Sequence, residues 1–203
     1  MENKFVSQAG QDKWVVDTLN NIKGGYFLDI GAYDGLNISN TYYLEKELDW
    51  DGLCIEADPS NFKKLTNVRD CGCINVAVAD IDGVVNFKQN DAGGHVTNSG
   101  GFEVQSRTIK TILKDNDCPK IIDYISLDIE GYELIVLENF PFDEYEFKLL
   151  TLEHNLYLGD ATHKNKMKEI LINNGYVLVK ENVENIGDDP FEDWYINPKH
   201  IKE

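Results

Sequence analysis

The sequence predicts an α/β fold, a doubly wound and mostly parallel sheet that ends in one reversed strand. Three observations predict it. Short apolar runs alternate with stretches of helical periodicity along most of the 203 residues. The runs are bounded by Gly, Pro and Asp, as strands are. The last two runs, Tyr176–Lys180 and Trp194–Ile196, are joined only by the polar stretch Glu181–Asp193, which fits an antiparallel hairpin and no helix.

In chain order, Trp14, Val15, Leu19 and Ile22 follow helical spacing, predicting a helix over Gln11–Asn21 that Gly24-Gly25 ends. Tyr26–Ile30 reads as a buried strand stopped by Gly31. A helix over about Ser39–Glu47, a strand over Gly52–Glu56 and a helix opened by Pro59 and running through Leu65 follow. Cys73–Ala79 reads as the third strand, and Asp82-Gly83 turns the chain into a short strand, Val84–Lys88. Residues 89–106, rich in Gly, Asn, Ser and Thr, show no period and predict a lid loop with Gly93-Gly94 and Gly100-Gly101 as hinges. Beyond it come a helix near Thr108–Lys114, a strand at Ile121–Leu127 and a helix over Tyr132–Asn139. A strand at Phe147–Glu153 and a helix at Thr162–Asn174 complete the alternation. The length suits one domain over 1–203, with residues 1–24 packing near the ligand site.

The formal net charge of −17 repels phosphate backbones, so a nucleic-acid partner is not expected. The one basic cluster, Lys164–Lys168, reads as a solvated helix face. No apolar run approaches a membrane span and the start lacks a signal-peptide stretch, so no membrane insertion and a cytoplasmic location are expected. Cys54, Cys71, Cys73 and Cys118 lack the spacing of a zinc site and read as reduced thiols.

In a doubly wound sheet the ligand sits beyond the carboxyl ends of the central strands. Phe27–Gly35, FLDIGAYDG, supplies such a turn, with Gly31 and Gly35 allowing backbone to approach the ligand. A pyrophosphate site wants Gly-x-Gly-x-x-Gly, which is absent, so an NAD-dependent oxidoreductase is not expected. Asp29 and Asp34 instead put negative charge in the turn, which suits a sulfonium and an α-amino group. Glu56 ends the second strand at about the interval where a carboxylate bonds a ribose diol. With the reversed ending of the sheet, these features point to S-adenosylmethionine.

The sequence resembles the FkbM family of methyltransferases. Ser7-Gln8-Ala9-Gly10-Gln11-Asp12, Phe27–Gly35, Ser39-Asn40-Thr41, Trp50–Ala57, Asn75–Asp80 and Ser126–Glu133 (SLDIEGYE) carry the resemblance, in order and over nearly the whole chain. It implies a Rossmann-like class I methyltransferase fold with a seven-stranded sheet and an antiparallel C-terminal strand. It further implies S-adenosylmethionine as donor and O-methylation, most often of a sugar in a glycan or glycoconjugate. The expected cofactor-binding residues are Gln11, Asp29, Gly31, Ala32, Tyr33, Asp34, Gly35, Ser39, Glu56, Ala57, Ala77 and Asp128. Tyr33 stands where the general motif often has a middle glycine.

A sugar hydroxyl is a weak nucleophile, so its methylation is helped by a base or by a metal that lowers its pKa. Asp128, Glu130, Glu153 and His154, from two adjacent strand ends, are the catalytic candidates. Asp128, Glu153 and His154 can hold Mg²⁺ or Mn²⁺, or His154 or Asp128 can take the proton directly. Glu130 can instead cap the helix that follows. His95 is an outside candidate for the acceptor, while His163 and His200 have no expected role. A methyltransferase fold kept as an idle binding domain is the competing reading.

Overall fold

The computed structural model describes residues 5–154, 161–185, 187 and 189–201. After helix α1 (Gln11–Thr18) come β1 (Tyr26–Ile30), α2 (Tyr42–Leu48), β2 (Asp51–Ile55), α3 (Pro59–Val68) and β3 (Gly72–Ile74). Four short strands follow: β4 (Ala77–Val78), β5 (Gly83–Lys88), β6 (His95–Thr97) and β7 (Phe102–Arg107). Helix α4 (Ile109–Asp115), β8 (Ile121–Leu127), α5 (Glu133–Glu138), β9 (Glu146–Glu153) and α6 (Ala161–Asn173) lead to β10 (Val177–Glu184) and β11 (Pro190–Ile196).

Seven strands form the main sheet in the order β10-β11-β9-β8-β1-β2-β3. Strands β3, β2, β1, β8 and β9 run parallel, and β11 is antiparallel to both β9 and β10. The reversed strand that the tail predicts is therefore present, threaded between β9 and β10. Both strands of the hairpin are longer than their apolar runs, and β10 takes up its polar residues through register shifts. An edge strand has one solvated side, where polar residues cost nothing.

Alternation along the strands sorts the core into two layers. Leu28, Ile30, Leu53 and Ile55 pack with α4, α5 and α6 residues such as Ile112, Val136 and Leu171. Phe27 and Cys54 pack on the opposite face with Val15, Leu44 and Leu65 from α1, α2 and α3. Helix starts are satisfied locally: the Asp58 carboxylate accepts from the Ser60 N–H at 2.7 Å with Pro59 in the first turn, and Thr108 caps α4.

Two expectations change. The apolar run Cys73–Ala79 is not one strand. It breaks at Asn75, whose side-chain amide donates to the carbonyls of Glu56 at 2.7 Å and Ala57 at 3.1 Å. Beyond the break, β4 joins a second sheet of order β4-β7-β5-β6. Residues 89–106 are not a loop either, since they contain β6 and most of β7, paired antiparallel to β5. Gly101 is no hinge: at φ +76° it lies so close to the Phe87 carbonyl that a Cβ would come within 2.1 Å of that oxygen. Lys164 also departs from expectation, being buried against Asp193 at 3.3 Å rather than solvated. Among the described residues no helix is long and apolar enough to cross a membrane.

The buried cation Arg69 ties the α2–α3 layer to the turn after β1. Its guanidinium pairs with Glu45, donates to Thr41 Oγ1 at 2.9 Å and reaches the Gly35 carbonyl and Ser39 Oγ at 3.4 Å. Burial raises the Glu45 carboxyl, but Arg69, Lys46 and the Asp70 N–H outweigh it and bring it from 4.5 to about 2. A carboxyl lowered in the folded state stabilises above its unfolded pKa and loses that contribution as pH falls. Arg69→Met strands a buried carboxylate and is expected to cost about 3–5 kcal/mol in urea unfolding. In the wild-type chain, Glu45's share of stability is expected to drain away between pH 4.5 and about 2. Indifference of unfolding to the substitution counts against the ion pair.

Candidate active site

The turn after β1 is built by close backbone approach. Gly31 has φ +93°, and a Cβ there would lie 1.7 Å from the Asp128 carbonyl oxygen. The Gly31 and Ala32 N–H groups both donate to the Ile55 carbonyl at 3.0 Å, which pins the turn to the end of β2. Tyr33 adopts φ +50°, the left-handed conformation that a middle glycine would take easily. Its N–H donates to Glu56 Oε2 at 2.8 Å, which anchors it there. Asp34 turns its carboxylate to the Leu36 and Asn37 N–H groups and the Asn37 amide. Asp34 and Gly35, both expected to bind cofactor, thus shape the turn and do not line the cavity.

That cavity, about 300 Å³, opens at the carboxyl ends of β1, β2 and β8. It is of a size that holds small-molecule ligands. Of the residues named for cofactor binding, Gln11, Asp29, Gly31, Ala32, Tyr33, Ser39, Glu56, Ala57, Ala77 and Asp128 line it. Gln11 is held by Glu192, which accepts its Nε2 at 2.8 Å. Asp12 fixes this N-terminal segment by accepting the Val6 and Ser7 N–H groups, while residues 1–4 lie outside the described residues. From the small sheet, Phe87, Ala92, Gly94 and Val96 form part of the wall. Among the described residues no Lys, Arg or His lines the cavity, and five carboxylates do. His95 is not among the lining residues, its Nδ1 lying 3.2 Å from the Gly93 carbonyl, and His200 pairs with Glu146 at the far end of β9.

Glu56 closes the β2 side. Its two oxygens accept from the Tyr33 and Asp58 N–H groups at 2.8 and 2.7 Å, and burial still pushes it up to about 7. Asp29, also raised by burial, accepts from Thr41 Oγ1 at 2.6 Å and feels Arg69 from behind.

At the β8–β9 end, Asp128, Glu130 and Glu153 each bring a carboxylate oxygen within 4.8 Å of the others. Burial raises both Asp128 and Glu153, and Glu153 is pushed further by the charges of Asp128 and Glu133. The hydrogen bond between them favours a protonated Glu153 donating to an ionised Asp128. Glu153 is 5% exposed, and its Oε2 has no hydrogen-bond partner among the described residues. Glu130 does not cap helix α5. It sits at φ +58° while Tyr132 holds the cap position, and Glu133 fastens the turn before the helix by accepting from the Ile129 and Gly131 N–H groups at 2.9 Å.

His154 departs from expectation. Its Nε2 lies 3.3 Å from Asp193, which Lys164 also approaches, and it does not line the cavity. It joins neither the metal-capable group nor the acid pair. Successive residues of an extended chain face opposite sides, so Glu153 and His154 diverge. The side chains that come together are Asp128, Glu130 and Glu153, and not the expected set of Asp128, Glu153 and His154. Asn40, Thr41, Asn75, Glu133 and Glu192 also build the site without having been singled out. Of these, Asn40, Thr41, Asn75 and Glu133 lie in segments that carry the family resemblance, and Glu192 had no sequence signal.

The chain shares its fold with solved methyltransferases. A methyltransferase FkbM from Methylobacillus flagellatus KT superposes with a TM-score of 0.54 at 17% identity, over 85% of this chain and 43% of that one. The precorrin-6y C5,15-methyltransferase from Geobacter metallireducens GS-15 gives 0.53 at 12%, over 97% and 90%. Aeropyrum pernix fibrillarin, solved with natively bound S-adenosyl-L-methionine, gives 0.51 at 12%, over 86% and 67%. No curated protein matches the sequence. The sequence model of the methyltransferase FkbM domain matches residues 29–178, from Asp29 on β1 through Glu56 and the Asp128–Glu153 pair to β10. The protein belongs to the FkbM family of class I, S-adenosylmethionine-dependent methyltransferases.

Proposed function

We propose that the protein transfers a methyl group to a hydroxyl oxygen of a sugar in a glycan or glycoconjugate. The observation that carries this reading is the raised acid pair, Asp128 and Glu153, set in the wall of a cavity lined by carboxylates and, among the described residues, by no cationic side chain. Such a cavity suits a cofactor bearing a sulfonium and an ammonium group. S-adenosylmethionine supplies an electrophilic methyl when bound.

The residues divide the work. Glu56 accepts from the ribose hydroxyls, Asp29 and Gln11 offer polar contacts, and the Gly31–Tyr33 backbone sets how deep the cofactor sits. Asp128, ionised beside protonated Glu153, takes the proton of the acceptor hydroxyl as the new C–O bond forms. Tyr132, Phe87 and Phe191 line the same cavity and offer aromatic surface for a sugar ring, with the Asn185 side chain beside them. The net charge of −17 favours a neutral acceptor over a nucleic acid.

A second reading rests on the unpartnered Glu153 Oε2. Asp128, Glu130 and Glu153 are oxygen donors of the kind Mg²⁺ or Mn²⁺ takes, and such an ion would lower the acceptor's pKa in place of a base.

The test is a methyl-transfer screen against a glycan panel read by mass shift, with S-adenosylhomocysteine binding measured by calorimetry. Glu56→Ala is expected to raise the Kd roughly 10- to 100-fold, with Glu56→Gln in between. No binding of S-adenosylhomocysteine by the wild-type chain sinks the donor assignment. Binding with methylation only of non-sugar acceptors sinks the acceptor assignment. Full turnover in EDTA supports the base, and loss restored by Mg²⁺ supports the ion.

A further inference from the structure

On the face of the sheet that packs against α1–α3, three thiols meet outside the cofactor cavity. Cys54 lies on β2 and is register partner to Cys73 on β3, while Cys71 sits one residue before β3. Cys54 Sγ is 3.6 Å from Cys71 Sγ, and all three sulfurs lie within 4.8 Å of one another. All three cysteines are free. A tetrahedral ion bound at ~2.3 Å from each sulfur holds its ligands ~3.8 Å apart, so the triad needs only side-chain adjustment to enclose one.

We propose that Cys54, Cys71 and Cys73 form a binding site for one thiophilic metal ion of the Zn²⁺ type. Three cysteine sulfurs select soft or borderline ions over Mg²⁺ or Ca²⁺. The three thiols release their protons to solvent as three metal–sulfur bonds form, which leaves the complex with one negative charge. Arg69, a buried guanidinium that interacts electrostatically with Cys54 and Cys71, balances that charge. Cys71 and Cys73 are partly exposed, and Cys71 borders a surface depression shared with Glu45 and Asp70. This gives the ion an entry path and leaves its fourth position to solvent. A bound ion bridges β2, β3 and the turn between α3 and β3.

The experiment is a titration of the full chain, reduced and anaerobic, with Cd²⁺ as a spectroscopic stand-in, in competition with a chromophoric chelator. One equivalent is expected to bind, with a cadmium–thiolate charge-transfer band that Zn²⁺ displaces. Cys71→Ser and Cys73→Ser are each expected to lose the band. Cys118→Ser, whose thiol lies against Tyr26, is expected to keep it. S-adenosylhomocysteine binding by each variant reports that it has folded. No uptake against the chelator overturns the proposal. So does a band that survives in folded Cys73→Ser, or one that disappears with Cys118→Ser.

Discussion

Asp128→Asn is expected to lower kcat by about 10²- to 10⁴-fold while leaving S-adenosylhomocysteine affinity within a few-fold of wild type. Asparagine keeps the size of the side chain and can still accept a hydrogen bond from Glu153. It cannot take a proton. The pH profile carries the sharper signature. Burial raises Asp128, so the wild-type rate is expected to climb with pH along a limb above the ordinary carboxylate range. Because base catalysis needs the ionised form, the rate falls as pH drops through the raised pKa, and Asp128→Asn erases that limb. Glu153→Gln keeps a neutral donor toward Asp128, weaker than the protonated carboxyl it replaces, and is expected to move the limb slightly to higher pH. A kcat for Asp128→Asn within tenfold of wild type, with the limb intact, removes the base assignment.

Gly31→Ala is expected to prevent folding to the native sheet. Two penalties coincide. A left-handed φ at a non-glycine residue costs about 1–3 kcal/mol. The added Cβ also meets the Asp128 carbonyl at 1.7 Å, and this obstacle is backbone that cannot rotate away. Relief demands that β1 and β8 separate at the end where the Asp128 N–H donates to the Ile30 carbonyl at 3.0 Å. Circular dichroism and thermal unfolding of Gly31→Ala, beside the milder Gly10→Ala, check this. The Gly10 position also has a positive φ but open space around its Cβ. Equal stability of the two variants counts against the close approach.

The local chemistry of the fold was legible. The apolar run Tyr26–Ile30, stopped by Gly31, gave the strand, and Pro59 gave a helix start. The reversed hairpin followed from the absence of a helical period in Glu181–Asp193. Long-range pairing was not legible. The glycines of residues 89–106 hid β6 and β7 because those strands are stabilised by β5 and not by their own composition. Asn75 hid the break between β3 and β4, since a side-chain amide bonding two carbonyls leaves no periodic trace. Within the site, Glu56 and the Asp128–Glu153 pair could be read from strand-end positions. Period-two alternation, applied to Glu153 and His154, would have separated them. The thiol triad depended on the β2–β3 register, which places Cys54 beside Cys73, and two residues 19 apart in sequence announce no such meeting.

The threading of β11 between β9 and β10 has a consequence for synthesis. A chain emerging from the ribosome exposes β9 long before β11 exists, so the outer edge of β9 stays bare while α6 and β10 are made. A bare edge strand recruits other strands, including those of neighbouring nascent chains. β11 also brings Phe191, a wall of the cavity, and Glu192, the anchor of Gln11. Ligand capture therefore waits for β11, and a chain truncated before Pro190 is expected to aggregate rather than to act as a weak enzyme.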